Sequence, residues 1–347
     1  MSLLTSLISH QIWLQRTASG EVKDLAPFIK EMRDEIKRQV LLFGDDGRST
    51  ARLNKLLRDL EEALTALTGD WQTKLTKDLK ELAAYEAEWN IKTLTANVNA
   101  EFVTPTAEQV WAAAEFQPLA LSDKPVDFTK LMAGWGETEA ARLVTGVKMG
   151  FVQGLTTRQI VKNVVGAGGL ADISERNAAT VIRTALSHVS NEARNETYRQ
   201  NDDIIEKYEI VATLDSRTST ICRSLDGQEY EIGKGPMPPF HPNCRTTTAP
   251  VISSEFDFLD KGAKRAAKGA DGGTQVSADT TYYEFLKQQP AWFQDEALGP
   301  VRGKIFRNSG ISPEEFRVIS VDGFGNPLTL KQMAELDKRV ADYLKGE

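Results

Sequence analysis

Between Asp24 and about Thr93, apolar side chains return every three or four residues: Phe28, Met32, Ile36 and Val40, then Leu53, Leu56, Leu57, Leu60, Leu64 and Leu67. That spacing places them along one stripe of an α-helix, and a stripe must be buried against a partner. The segment "FGDDGRS", residues 43–49, interrupts the period and predicts a reversal between two helices. In "KLLRDLEEAL" and "KLTKDLKELAAYEAEW" the acidic and basic residues nearly balance, so these charges read as the solvated face of a helical hairpin and not as a nucleic-acid stripe. A chain of 347 residues, 41% of them hydrophobic and 26% charged, has enough apolar surface for two or three such packed units. Its net charge of -7 argues against a surface that adheres to nucleic acid throughout, although a local basic patch stays open. "MSLLTSLISHQIWLQR" lacks a basic start and a small-residue cleavage site, so it reads as a helix and not a signal peptide. No apolar run reaches the roughly 18 residues of a membrane span. Two cysteines make no disulfide framework, which fits a reducing cytoplasm.

Residues 102–136 change character, with Pro105, Pro118 and Pro125 among Trp111, Phe116, Phe128 and Trp135. This composition predicts an ordered connector docked on a neighbour. Helical period then resumes in "ETEAARLVTGVKMGFVQG", "TTRQIVKNVVG" and "ISERNAATVIRTALSHVSNEARNETYRQN", with glycine stops at Gly154 and at 166–169 and N-cap candidates at Thr156 and Ser174. In the third of these helices Ala179, Ile182, Ala185, Leu186 and Val189 share a face, while Arg183, His188, Asn191, Arg194 and Tyr198 occupy the rest. His188 is thus read as an exposed or satisfied helix histidine and not a ligand. "YEIVATL", "QEYEI" and "TTTAPVI" have the β-branched and aromatic content of short strands.

Between the last two strands lies "GKGPMPPFHPNC", whose four prolines exclude regular structure and fix the path of a loop. Around it sit both cysteines, Cys222 and Cys244, and one of the three histidines, His241. Sulfur and imidazole nitrogen are donors that zinc prefers, and a fourth ligand would be Asp215, Asp226 or water. The same residues fit a disulfide or close thiol pair, or plain packing of small apolar side chains. A hydrolytic reading is also open: Ser216 or Ser219 with His241 and Asp215 or Asp226, or Cys222 with His241, has the residue types of a nucleophile and base. No GxSxG elbow or cysteine-protease signature surrounds them, and a His-Asn-His nuclease would need further histidines.

"ARNETYRQN", followed by "YEIVATLDSRTSTICRSLDGQEY" and "PPFHPNCRTTTAPV", resembles the phage Mu protein F-like family of minor head proteins, the phage head morphogenesis proteins. The likeness is most specific over residues 183–252, and "YYEFLKQQPAWFQDEALGPVRGKIF", residues 282–306, resembles a segment that often follows. The resemblance marks Asp215, Arg217, Asp226, Gly227, Pro239, Pro242 and Arg245 as structural motif residues. Ser219 and Thr246 depart from it, since the family usually has cysteine at both places. The resemblance implies a structural protein of a tailed-phage head, near the portal, acting in head assembly, genome packaging or DNA ejection. It implies the portal protein or major capsid protein as partner, with possible contact to double-stranded DNA, and no membrane or small-molecule substrate.

The stretch "KGAKRAAKGADGGTQVSAD", residues 261–279, is small, polar and glycine-rich, with Lys261, Lys264, Arg265 and Lys268 as a basic cluster. It reads as a flexible linker, the alternative being a strand-like arm that touches DNA or a partner. Beyond it, a Ser312-Pro313-Glu314-Glu315 helix start and "TLKQMAELDKRVADYL" predict a helical tail. The expected architecture is α+β and mainly α. It comprises an N-terminal helical region (1–101), a connector (102–136), a head-morphogenesis module with a small antiparallel sheet (137–252), a linker (253–280) and a helical C-terminal region (281–347). The expected function is that of a non-enzymatic minor head protein localised to the virion head and assembled in host cytoplasm. The alternative is a metal-dependent hydrolase or nuclease using His241 with Cys222 or Asp215. Zinc, held by Cys222, His241 and Cys244 with Asp215 as a candidate fourth ligand, is the one cofactor considered.

Overall fold

The computed structural model of the chain describes residues 2–45, 49–119, 121, 125–252, 262–323 and 325–346. Three helices open it: α1 (Leu3–Asp24), α2 (Ala26–Phe43) and α3 (Thr50–Asn97). At 48 residues α3 is about 72 Å long. Its stripe of Leu60, Leu64, Trp71, Leu75 and Leu79 is buried against Ile29, Met32, Ile36 and Val40 of α2 and against the helices that follow. The predicted break is where α2 ends and α3 begins, with residues 46–48 outside the described residues, and Ser49 caps α3 by accepting from the Arg52 amide.

The connector is more regular than its prolines imply. It holds α4 (Ala107–Phe116), opened by a capping box of Thr106 and Gln109, and the first turns of α5 (Phe128–Val152). Then come α6 (Thr157–Val165), capped by Thr156 as predicted, and α7 (Leu170–Arg199). Ser174 is not a cap. It lies one turn inside α7, where its hydroxyl donates to Glu139 (2.8 Å).

Helix α7 is the spine of the molecule, with α1, α2, α3, α4, α5 and α6 all packed on it. The residues expected to spread over its remaining faces are therefore mostly buried too. His188 Nε2 bonds the Ala114 carbonyl (2.8 Å), so the histidine is satisfied but not exposed. Arg194 is fully buried, Asn191 Oδ1 accepts from Thr247 (3.3 Å) and the Tyr198 hydroxyl donates to the Thr248 carbonyl (3.4 Å). No described helix is long and apolar enough to cross a membrane.

The predicted strands form a three-stranded antiparallel sheet of order β2-β1-β3, from β1 (Ile205–Val211), β2 (Glu229–Glu231) and β3 (Thr247–Ile252), with α8 (Thr220–Leu225) between β1 and β2. A second core lies under the sheet: Leu3, Leu7 and Leu94 from the helices meet Ile205, Tyr208, Ile210, Phe240 and both cysteines.

The segment read as a linker is a correction. Residues 253–261, including Lys261, lie outside the described residues, but β4 (Lys264–Gly269) and β5 (Gly272–Ser277) form a hairpin. Its anchor is Arg265, 2% exposed, which donates to Asp226 on both carboxylate oxygens (2.9 and 3.1 Å) and to the Ala212 carbonyl (2.5 Å). A cation so placed makes no phosphate contact. A small, polar composition looked like a linker because the one side chain that fixes the hairpin has its partner 39 residues away. Among the described residues six short helices follow: α9 (Tyr282–Lys287), α10 (Ala291–Leu298), α11 (Pro300–Asn308), α12 (Pro313–Val318), α13 (Leu330–Leu336) and α14 (Lys338–Gly346). They enclose an aromatic core of Tyr282, Tyr283, Phe285, Phe306 and Phe316. Ser312 opens α12 with the predicted cap, closing a box with Glu315.

Two stability measurements follow from this packing. Asp226→Ala leaves Arg265 buried and unpaired and is expected to cost about 3–5 kcal/mol in denaturant unfolding. Adding Arg265→Met should return much of that loss. His188 is held down to about 4 by burial, against 6.5 ordinarily. Its contribution is thus present above pH 6.5 and lost as pH falls through 4. In parallel unfolding curves, His188→Gln should lose about 3 kcal/mol less than the parent over that interval.

Candidate functional site

Two turns and one loop meet beside the sheet. Leaving β1, the chain turns at Asp215, whose carboxylate accepts from the Arg217 amide (3.0 Å) and the Thr218 hydroxyl (3.1 Å). Arg245 grips the same carboxylate through two nitrogens (2.5 and 2.9 Å). Burial alone would raise the Asp215 pKa, but the Arg245 guanidinium outweighs it and holds the carboxyl below its ordinary value. The Asp215 carbonyl accepts from the Tyr282 hydroxyl (2.9 Å), which ties the turn to the C-terminal helices. Ser219 then caps α8, accepting from the Cys222 amide (3.4 Å), and so points Cys222 inward.

Asp226 and Gly227 close the next turn. The Asp226 carboxylate takes the amides of Ala212 and Tyr282 (both 2.7 Å) beside Arg265, so it satisfies two chain segments and a buried cation at once. Gly227 has φ +75°, a conformation that glycine adopts without a Cβ penalty, and its amide bonds the Ile210 carbonyl (2.9 Å). The proline loop runs irregularly as predicted, with Pro239 buried and Pro242 exposed. Asn243 pins it to α7, its amide donating to the Thr184 hydroxyl (3.1 Å) and its side chain to that of Thr180 (3.2 Å). Sequence reading did not single out this anchor; the φ of +60° at a non-glycine residue is visible only in the folded chain.

The loop brings Cys222, His241 and Cys244 together, with one donor atom from each within 4.8 Å of the others. Cys222 Sγ lies 3.2 Å from His241 Nε2 and 3.6 Å from Cys244 Sγ. The cysteines are free thiols in this structure, so the predicted proximity is present without a disulfide. Asp215, considered as a fourth ligand, is not in the cluster, its carboxylate being committed to Arg245. Asp226 is likewise taken by Arg265. Ser219 and Thr246 stand beside Cys222, where both act to lower its pKa.

Electrostatics divides the two thiols. The hydrogen bond to Cys244, with burial behind it, pushes Cys222 up. Burial would also raise Cys244, but the hydrogen bonds from Cys222 and His241 outweigh it and favour its thiolate. Its bond with Cys244 in turn raises His241 against the effect of burial. The His241 ring is half-buried and borders an open cleft of about 700 Å³, whose walls include Gln15, Arg183, Arg217 and Arg245. Neither Arg183 nor this cleft was legible in the sequence, because its walls come from α1, α7 and both loops.

A helix-and-sheet module whose turns are closed by Asp–Arg pairs, and whose proline loop carries a thiol–imidazole cluster, is what the fold and the site define. Residues 141–249 match the family of phage Mu protein F like proteins. Over those residues the chain is similar to the phage Mu protein F-like family, in line with its sequence resemblance, and that family points to a role in phage head morphogenesis. Neither the curated proteins nor the solved structures gave a match.

His241→Ala removes a partner from a buried thiol and from the Pro242 carbonyl. It should lower stability by about 1–3 kcal/mol in a thermal melt under reducing conditions. An unchanged melt would mean that the cluster does not staple the loop.

Proposed function

We propose that this chain is a structural minor head protein of a tailed phage that binds the portal protein or the major capsid protein and acts in head assembly, genome packaging or DNA ejection. The match of residues 141–249 to the phage Mu protein F-like family carries this reading. The fold supports it, since the long α3 and the helices around it offer extended, rigid surfaces of the kind a protein partner can engage. In this reading the chain is not an enzyme, it resides in the virion head near the portal, and it is assembled there in the host cytoplasm. Contact with double-stranded DNA is limited to local basic ground such as the Arg183 and Arg217 wall of the cleft, given a net charge of -7.

The hydrolase reading keeps one observation on its side: His241 borders an open cleft with its Nε2 3.2 Å from Cys222 Sγ. Against it, Cys222 is only 2% exposed and its thiol is pushed toward the protonated form, the wrong direction for a nucleophile. Asp215 faces Arg245 and so does not orient His241.

Co-expression with the portal and major capsid proteins of a tailed phage, followed by affinity capture of the chain, is the test. One of the two should co-purify at fixed stoichiometry, and the chain should leave DNA and generic ester substrates intact. Capture of neither, together with turnover that His241→Ala abolishes, would replace the structural reading with the hydrolytic one.

A further inference from the structure

The thiol–imidazole cluster has the dimensions of a metal site. A tetrahedral zinc ion with Zn–S near 2.3 Å and Zn–N near 2.05 Å sets its ligand atoms roughly 3.8 Å apart for a sulfur pair and roughly 3.5 Å apart for sulfur and nitrogen. The corresponding separations here are 3.6 Å for Cys222 Sγ to Cys244 Sγ and 3.2 Å for Cys222 Sγ to His241 Nε2. An ion would spread these two separations by a few tenths of an ångström, and the third, between Cys244 and His241, is within 4.8 Å.

The imidazole is already set for the task. His241 Nδ1 lies 2.9 Å from the Pro242 carbonyl, which can only accept, so Nδ1 carries the proton and a neutral ring turns its Nε2 lone pair to the sulfurs. A backbone carbonyl that holds the distal nitrogen of a histidine is the usual outer partner of a metal-bound imidazole. The loop is also rigid before any ion arrives, since Asn243 fixes it to α7 and Arg245 fixes its end to Asp215.

Only three protein donors converge. The groups next to them, the Ser219 and Thr246 hydroxyls, are poor zinc ligands while protonated, and Asp215 and Asp226 are held elsewhere by arginines. Structural zinc sites close with four protein ligands, whereas three leave a position for an exogenous one. Cys222 and His241 border the open cleft, so that position faces solvent and the guanidinium groups of Arg183, Arg217 and Arg245.

We propose that Cys222, His241 and Cys244 bind one zinc ion whose fourth coordination position opens into the arginine-walled cleft, where it takes water or a small anion. Ser219 is the residue that leaves the site open. It stands three positions before Cys222, the spacing at which a cysteine pair chelates zinc, so Ser219→Cys would close the shell.

The test uses the reduced full chain and cobalt(II) as a visible probe. One equivalent should bind with the strong absorption of a tetrahedral thiolate site, and zinc should displace it. Thiocyanate should shift that spectrum in the parent chain and leave it unchanged in Ser219→Cys, which should bind at least tenfold more tightly and serves as the variant that keeps every native ligand. Failure of the reduced chain to take up stoichiometric cobalt overturns the site, as does uptake that persists in the Cys222→Ser, Cys244→Ser double variant. A spectrum insensitive to thiocyanate in the parent overturns the open position. A chain that binds no metal but still captures the portal would sink this inference and leave the proposed function standing.

Discussion

The Asp226–Arg265 pair ties together segments that otherwise share little. Both side chains are out of solvent, so neither charge is tolerable alone, and each becomes tolerable only when the turn after α8, the end of β1, the β4–β5 hairpin and the start of α9 are all in place. Asp226 accepts four hydrogen bonds from three separate parts of the chain, which nearly exhausts the capacity of a carboxylate. The module and the aromatic C-terminal core are thereby coupled through one buried ion pair. Asp215 repeats the device on a smaller scale, with Arg245 on its carboxylate and Tyr282 on its carbonyl.

That arrangement explains how a loop rich in proline and poor in regular hydrogen bonding can hold a geometric cluster. The proline loop is framed by Asp215–Arg245 on one side and by Asn243 on α7 on the other. Cys222, His241 and Cys244 need no strong bond among themselves to stay within a few ångströms. Both cysteines of the cluster are also part of the core that packs on the sheet.

Helix α7 supplies the other constraint. It carries serine, threonine, asparagine, histidine, glutamate and arginine, and yet almost every side chain from Ala178 to Tyr198 is buried. Such a helix is stable only where its polar groups find partners on several neighbours, as His188 does with Ala114 and Ser190 with Glu86. Burial raises Glu192 to about 7 while lowering His188 to about 4, one turn apart, so the two groups tilt stability in opposite directions with pH. A module built on this spine has its specificity written in polar pairs.

The leucine spacing in α3, the capping sequences at Thr156 and Ser312, the three short strands and the irregular proline loop were all legible in the chain, because each is fixed by residues within a turn or two of one another. The family likeness and the convergence of Cys222, His241 and Cys244 were legible for the same reason, being carried by contiguous segments. Periodicity marks the face of a helix that must be covered but is silent on whether the others are covered too, so the burial of His188 and Arg194 needed the fold. Ser174 looked like a cap because its local chemistry allows one, and Glu139 on α5 gave it a different partner. The hairpin at 264–277 was hidden most completely, since a small, polar, glycine-rich segment is a linker by composition and becomes structure only when a distant carboxylate neutralises Arg265. Local chemistry determined the elements and the donors of the site; charge pairing and packing across long sequence separations decided which of them were buried, and turned His241 toward a cleft that no single segment encodes.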